Sequence, residues 1–161
     1  MLTQRLVAGL AVVLACTLAG CGGGGTPPTP TRTLAIADQT ASPGSSITVP
    51  VTINNAVGIA GIDITLTYSA GLLTATDAAT TTLTSGFLIQ KSITSGQIQI
   101  SMANATGIAS SSGVLVNITL SVSSGATSGQ SCPLTMTSHS LYDQYAGAVA
   151  HQVQNGVFRV Q

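Results

Sequence analysis

Charged side chains are scarce in this chain of 161 residues. Lys and Arg together number four, the acidic residues also number four, and Glu is absent. Proteins that bind nucleic acids need clustered Lys and Arg, and this chain has too few of them to form a cluster. Disordered chains combine high charge with low hydrophobicity, whereas this one is 5% charged and 44% hydrophobic. We therefore predict one folded domain that does not bind nucleic acid.

Groups for acid–base and metal chemistry are equally few. All four acidic residues are Asp, and they are scattered along the chain: Asp38, Asp63, Asp77 and Asp143. The two histidines, His139 and His151, could approach Asp143 in space, but no H-x-x-x-H or C-x-x-C spacing indicates a metal site. We predict that the protein is not an enzyme and holds neither a metal nor a cofactor.

The first 20 residues have the composition of a secretory leader. Arg5 supplies a positive start, and residues 6–14 form an apolar run that is too short to span a bilayer. Residues 18–21 read Leu-Ala-Gly-Cys and match the bacterial lipobox, in which a Cys after small residues is lipidated and becomes the new N-terminus. We predict a lipoprotein signal peptide over residues 1–20 and lipid on Cys21. The alternative is an ordinary signal peptide cleaved at an A-x-A-like site.

Residues 21–32 have the composition of a flexible tether. A run of four glycines is followed by a stretch rich in Pro and Thr. Acyl chains on Cys21 would anchor this tether to a membrane through buried CH₂ groups, at about 0.8 kcal/mol each. We expect an exported protein that is lipid-anchored to the bacterial cell envelope. Because residue 22 is Gly rather than Asp, we expect the outer membrane where the cell has two.

From residue 34 onward, apolar and polar residues alternate. The alternation is clearest where Thr, Val and Ile dominate, over residues 47–53, 62–68, 98–102 and 114–122. A period of two is typical of antiparallel strands with one buried face. We predict an all-β protein, an antiparallel β-sandwich over residues 33–161.

Turn signals separate these strands. Ser-Pro-Gly at residues 42–44 is typical of a type II turn, and Thr-Ser-Gly at residues 94–96 predicts a hairpin. Asn155-Gly156 is typical of a type I′ hairpin. Six threonines between positions 74 and 84 predict an exposed strand and loop.

Three segments together resemble a cohesin domain. Residues 49–68, VPVTINNAVGIAGIDITLTY, are similar to its start. Residues 96–107, GQIQISMANATG, and 113–120, GVLVNITL, are similar to its later strands. The similarity spans about residues 33–161. It implies a nine-stranded sandwich with jelly-roll topology, one sheet face of which binds a dockerin, a small calcium-loaded helical module on a partner protein.

The resemblance also implies which residues contact the dockerin. Asp63 matches the family's contact Asp, and Gly61 stands where an Asn contact is common. Asn104 stands where an acidic residue is common, and Gly107 matches a glycine near the interface. Leu115 takes an outward position that often packs on the partner helix.

The alternation by itself supports part of this set. It places Asp63 and Leu115 opposite the core residues of their strands. We therefore expect the partner to dock on one sheet face that bears Asp63, Thr65, Ser101, Leu115 and Asn117.

Two other functions remain open at this level. Carbohydrate-binding modules share the sandwich, but their sugar platforms generally use exposed aromatic rings, and this chain has no Trp. Only Tyr142 and Tyr145 are candidates for exposure, whereas Tyr68 is predicted to point inward. The third possibility is a structural surface lipoprotein, because fold alone does not determine function. We expect a role related to polysaccharide degradation or to surface assembly, with a polysaccharide as a possible ligand.

Overall fold

The computed structural model describes residues 32–161. The predicted signal peptide, Cys21 and all but the last residue of the predicted tether lie outside this range. The described chain forms eleven strands: β1 Thr33–Ile36, β2 Gln39–Ala41, β3 Ser46–Ile53, β4 Ile59–Thr67, β5 Leu73–Thr80, β6 Leu88–Thr94, β7 Gln97–Ala103, β8 Gly113–Val122, β9 Ser131–Asp143, β10 Gln152–Gln154 and β11 Gly156–Val160.

The strands form two sheets. The five-stranded sheet has the order β10-β1-β3-β8-β5, and the six-stranded sheet has the order β2-β11-β9-β4-β7-β6. Most neighbouring strands are antiparallel, and residues 32–161 contain no helix. The predicted all-β sandwich is therefore confirmed. None of these residues forms a helix that could span a lipid bilayer.

Alternating side chains from both sheets fill the space between them. The largest fully buried ones include Ile62, Ile64 and Leu66 of β4 and Phe158 of β11. Each fully buried aliphatic side chain contributes about 1.5–3 kcal/mol relative to an exposed one. Tyr68 points inward as predicted, with 8% of its surface exposed, and its hydroxyl accepts a hydrogen bond from the Ala75 N–H at 3.0 Å.

The N-terminal segment and the C-terminal segment of the domain each contribute one strand to each sheet. β1 pairs with β10 in parallel in the five-stranded sheet, and β2 pairs with β11 in parallel in the six-stranded sheet. The predicted hairpin at Asn155-Gly156 is therefore wrong. A type I′ turn needs positive φ at both central residues, and neither residue has it. The hairpin predicted at residues 94–96 is confirmed, with β6 paired to β7.

A β-bulge at Leu115 reverses the alternation in β8. Val51 of β3 faces Val116, but the next residue, Thr52, faces Val114, so Leu115 has no partner across the ladder. The extra residue turns Leu115 into the core, where its exposed fraction is 0%. The predicted outward position of Leu115 is therefore wrong.

The hydroxyl groups of two threonines form hydrogen bonds with the backbone around this bulge. Thr84 is buried, and its hydroxyl donates to the Leu115 carbonyl at 2.8 Å while accepting the Thr81 N–H at 2.9 Å. The Thr81 hydroxyl donates to the carbonyl of Val114. The threonine-rich segment is thus only partly exposed, because some of its hydroxyls hold the bulged strand.

Replacing Thr84 by Val is expected to destabilise the domain by about 1–3 kcal/mol, because it removes both hydrogen bonds of a buried hydroxyl. Urea denaturation followed by circular dichroism measures the change. Thr82→Val is the matched control, since Thr82 is exposed and its side chain makes no hydrogen bond within residues 32–161. Equal midpoints for the two variants would contradict the role of Thr84.

An ion pair joins the two sheets at one edge of the sandwich. Lys91 of the edge strand β6 reaches Asp77 of the edge strand β5, and its Nζ also donates to the Ala78 carbonyl at 3.2 Å. The hydrogen bond from Lys91, followed by that from the Ala78 N–H, holds the pKa of Asp77 below its usual value. A charge directed inward from an edge strand also discourages pairing with another chain.

A candidate binding face on the six-stranded sheet

The outer face of the six-stranded sheet presents side chains in rows that cross four strands. Antiparallel partners lie opposite each other and share a face, so the strand registers define each row. The row nearest the start of β4 is apolar and consists of Tyr142, Gly61, Ala103 and Leu88. The next row is polar and consists of Ser140, Asp63, Ser101 and Gln90.

The apolar row has large side chains at its ends and almost none in the middle. Leu88 is 79% exposed, and Tyr142 is half-buried on the other side. Between them, Gly61 and Ala103 form the floor of an open depression of about 400 Å³. We call this feature the Gly61 depression.

Tyr142 leans over the backbone of Gly61. A Cβ added at Gly61 would lie 3.1 Å from Cβ and 3.3 Å from Cδ2 of Tyr142. Such contacts are tighter than ordinary van der Waals distances, so Tyr142 must shift by a few tenths of an ångström to admit a Cβ at position 61. The absent side chain of Gly61 therefore both creates the depression and positions one of its walls.

Asp63 is the only charged residue in these two rows. Its carboxylate is exposed and makes no hydrogen bond or ion pair with the described residues. The row beyond it, which consists of Ser138, Thr65, Gln99 and Ser92, is neutral. The face thus offers one free carboxylate beside an apolar depression, in otherwise neutral polar surroundings.

Comparison with known proteins identifies this fold. A family model described as Cohesin domain matches residues 33–160. The chain belongs to the cohesin family. None of the curated proteins is significantly similar to it.

Solved structures of cohesins have the same fold. The chain is 27% identical to a non-cellulosomal cohesin from the archaeon Archaeoglobus fulgidus, with a TM-score of 0.72 over 81% of this chain and 91% of that one. It is 25% identical to the sixth cohesin of Acetivibrio cellulolyticus scaffoldin B, solved in complex with a Cel5 dockerin variant, with a TM-score of 0.72 over 81% and 99%. CaCohA2 of Clostridium acetobutylicum shares the fold at 24% identity, with a TM-score of 0.70 over 81% and 91%.

Cohesins are non-enzymatic modules that bind dockerins. The chain is accordingly a non-catalytic module, as its composition predicted. The histidines form hydrogen bonds within the fold: His151 Nδ1 donates to the Val149 carbonyl at 2.9 Å, and a second hydrogen bond of 2.9 Å joins His151 Nε2 and His139 Nδ1. Asp143 does not join them, because its Oδ1 accepts the N–H groups of Tyr145 and Gly147, both at 2.8 Å. Within residues 32–161, no three His, Cys, Asp or Glu side chains are grouped to hold a metal.

The other sequence-predicted contact residues of this cohesin are only partly brought together. Asn104 follows β7 and lies beside Leu88, so it borders the face. Its side-chain oxygen accepts a hydrogen bond from the Thr106 N–H at 3.3 Å. Gly107 lies in the following loop, where an added Cβ would be 2.8 Å from the backbone of Gly58. A close backbone contact therefore accounts for that glycine.

Leu115 and Asn117 are not on the face with Asp63. Both belong to β8 of the five-stranded sheet, on the other side of the sandwich. Leu115 is buried by the bulge, and only Asn117 is directed outward on that opposite sheet. Thr65 and Ser101 do share the face of Asp63, as predicted.

Sequence reasoning did not place Tyr142 and Leu88, the two walls of the Gly61 depression, on the docking face. Tyr142 was a candidate for exposure, but its place beside Gly61 depends on the register between β9 and β4. Leu88 begins an edge strand in which apolar and polar residues do not alternate cleanly, so no local signal marks it as outward. Tyr145, the other candidate aromatic residue, is 84% exposed in the turn after β9.

Proposed function

We propose that this cohesin binds a dockerin-bearing protein through the outer face of β9, β4, β7 and β6. The observation that carries the proposal is the free carboxylate of Asp63 at the centre of an exposed, otherwise neutral face. A solvent-exposed carboxylate without a partner is available for a charge-assisted hydrogen bond from a bound protein. The Acetivibrio cohesin in complex with a dockerin, at 25% identity, supports the same class of partner here.

Replacing Asp63 by Ala is expected to weaken dockerin binding by about 1.5–3 kcal/mol, which is the usual contribution of a hydrogen bond to a charged group. Titration calorimetry with a panel of Ca²⁺-loaded dockerins measures the affinity. Added salt should weaken binding only modestly, because one charge on a neutral face gives little long-range attraction.

The matched control for Asp63→Ala is Asn117→Ala. Asn117 is a polar residue on the opposite sheet, so its loss should leave the affinity unchanged. An affinity that survives Asp63→Ala and falls in Asn117→Ala would transfer the interface to the five-stranded sheet.

We further propose that residues 1–20 are a lipoprotein signal peptide and that residues 21–32 tether the domain to lipid on Cys21. The lipobox and the Gly/Pro-rich composition support this proposal. The protein would then hold its partner at the bacterial cell envelope, on the outer membrane where one exists. We propose a partner that serves polysaccharide degradation or surface assembly, and the scaffoldin origin of the Acetivibrio cohesin supports that class.

Replacing Cys21 by Ser is expected to abolish lipidation and to move the protein from the membrane fraction to the soluble fraction, because the thiol is the site of acylation. Detergent-free fractionation followed by immunoblotting measures the distribution. Cys16→Ser is the control, since that cysteine would leave with the signal peptide. Membrane retention of the Cys21→Ser protein would disprove the anchor.

A further inference from the structure

We propose that the Gly61 depression receives one large apolar side chain from a helix of the partner, and that Asp63 meets a Lys or Arg about one turn away on the same helix. This inference rests on the proposed dockerin binding and specifies the partner's contact residues. It follows from the dimensions, polarity and charge of the two rows described above.

The size of the depression fits one large side chain on a helix. Neighbouring strands lie about 4.8 Å apart, so the strands of Tyr142 and Leu88, three spacings apart, are separated by about 14 Å. A helix with its side chains is about 10–12 Å wide. Because the Tyr142 side chain leans inward over Gly61, the helix lies above the walls and one of its side chains enters between them. The volume of about 400 Å³ above the floor accommodates a Leu, Met or Phe side chain.

The spacing between Gly61 and Asp63 matches a helical repeat. Two residues of an antiparallel strand span about 6.8 Å. Residues four apart on a helix are separated by about 6 Å along the axis and lie on the same face. A helix aligned with β4 can therefore place an apolar side chain over Gly61 and a cation at Asp63 simultaneously.

The negative charge of Asp63 determines which side chain the partner helix can place opposite it. Asp63 is the only charged residue in the first three rows, and its oxygens have no partner among residues 32–161. A Lys or Arg gains a charge-assisted bond there, whereas an Asp or Glu at the same helical position would be repelled. The adjacent Ser101, Ser140 and Gln90 provide neutral hydrogen-bonding groups around the pair.

Gly61 is then a specificity-determining residue. A side chain at position 61 would occupy the floor of the depression and press against the Tyr142 side chain. Partners with a bulky apolar side chain would be excluded, while those that bind mainly through Asp63 would be affected less. Gly61→Asn is a suitable probe, because Gly61 does not have a positive φ and the nearest contacts of the new Cβ would be with the side chain of Tyr142.

A yeast-displayed library of Ca²⁺-loaded dockerins with randomised helix surfaces tests this inference. The bait is the full chain carrying Cys21→Ser. We expect selected dockerins to carry a large apolar residue and a Lys or Arg four positions apart. Their affinity should fall roughly 10–100-fold for Gly61→Asn, because one apolar side chain is no longer buried. Thr48→Asn, an exposed substitution in β3 of the opposite five-stranded sheet, is the control and should change it less than about threefold, as surface changes usually do.

The outcomes separate this inference from the function on which it rests. Dockerins that lose affinity in Asp63→Ala but bind Gly61→Asn as tightly as the parent would overturn the inference and leave the proposed function intact. A library that yields no dockerin dependent on Asp63 would overturn the proposed function, and the inference with it.

Discussion

Replacing Leu115 by Asp is expected to unfold the domain. Leu115 is completely buried beside the bulge of β8, so the substitution removes a core side chain and places a carboxyl group among apolar ones. Loss of a buried Leu side chain alone costs about 2–5 kcal/mol, and an unpaired buried polar group costs more. The total is comparable to the free energy of unfolding of a typical domain, about 5–15 kcal/mol. Far-UV circular dichroism during urea titration measures it.

Asn117→Asp is the control for this experiment, since it introduces the same group two residues along the same strand. Asn117 is directed outward, and its replacement should change the stability by no more than about 0.5 kcal/mol, as is usual for surface sites. Simple alternation places Leu115 outward as well and predicts that both variants remain folded. A stable Leu115→Asp protein would therefore show that β8 has no bulge.

The sequence predicted the face around Asp63 correctly where the strands are regular. β4 and β7 alternate without interruption and pair residue for residue from Gly61 to Thr67. In such strands a period-two count identifies the outward residues, and Asp63, Thr65 and Ser101 are found there. The fold class was predictable for the same reason, since the alternation recurs through most of residues 33–161.

The sequence did not predict the location of a side chain where a bulge or a pairing with a distant strand determines it. A single unpaired residue places both Leu115 and Val116 in the core, and no local pattern in a run of apolar residues reveals it. Periodicity also does not state which sheet a strand joins, so Asn117 was assigned to the wrong side of the sandwich. The walls of the Gly61 depression depend on registers between strands that are far apart in sequence.

The crossing of the chain between the sheets explains why Asn155-Gly156 does not form a hairpin. β1 and β10 are parallel in one sheet, β2 and β11 are parallel in the other, and both segments cross at the same place. Asp38 accepts the Val157 N–H at 2.9 Å, and Asn155 accepts the Met136 N–H at 2.9 Å. These bonds stabilise the crossing, and Gly156 packs directly against the backbone of Ile36 and Ala37.

Replacing Gly156 by Ala is expected to destabilise the domain by about 3 kcal/mol, the upper part of the usual range for overpacking. The added Cβ would lie 2.7 Å from the Ala37 carbonyl oxygen and 2.8 Å from that of Ile36. Both neighbours are backbone atoms, so removing the overlap requires the β1–β2 segment to move away from β11. That movement would strain the hydrogen bond from the Val157 N–H to Asp38. Gly71→Ala is the control, because its nearest neighbour would be the Ser69 Oγ at 3.9 Å and its φ is not positive. Urea midpoints measure both variants, and hydrogen exchange should show lost protection along β2 and β11 in Gly156→Ala. Equal midpoints for the two alanine variants would mean that the backbones do not meet at Gly156.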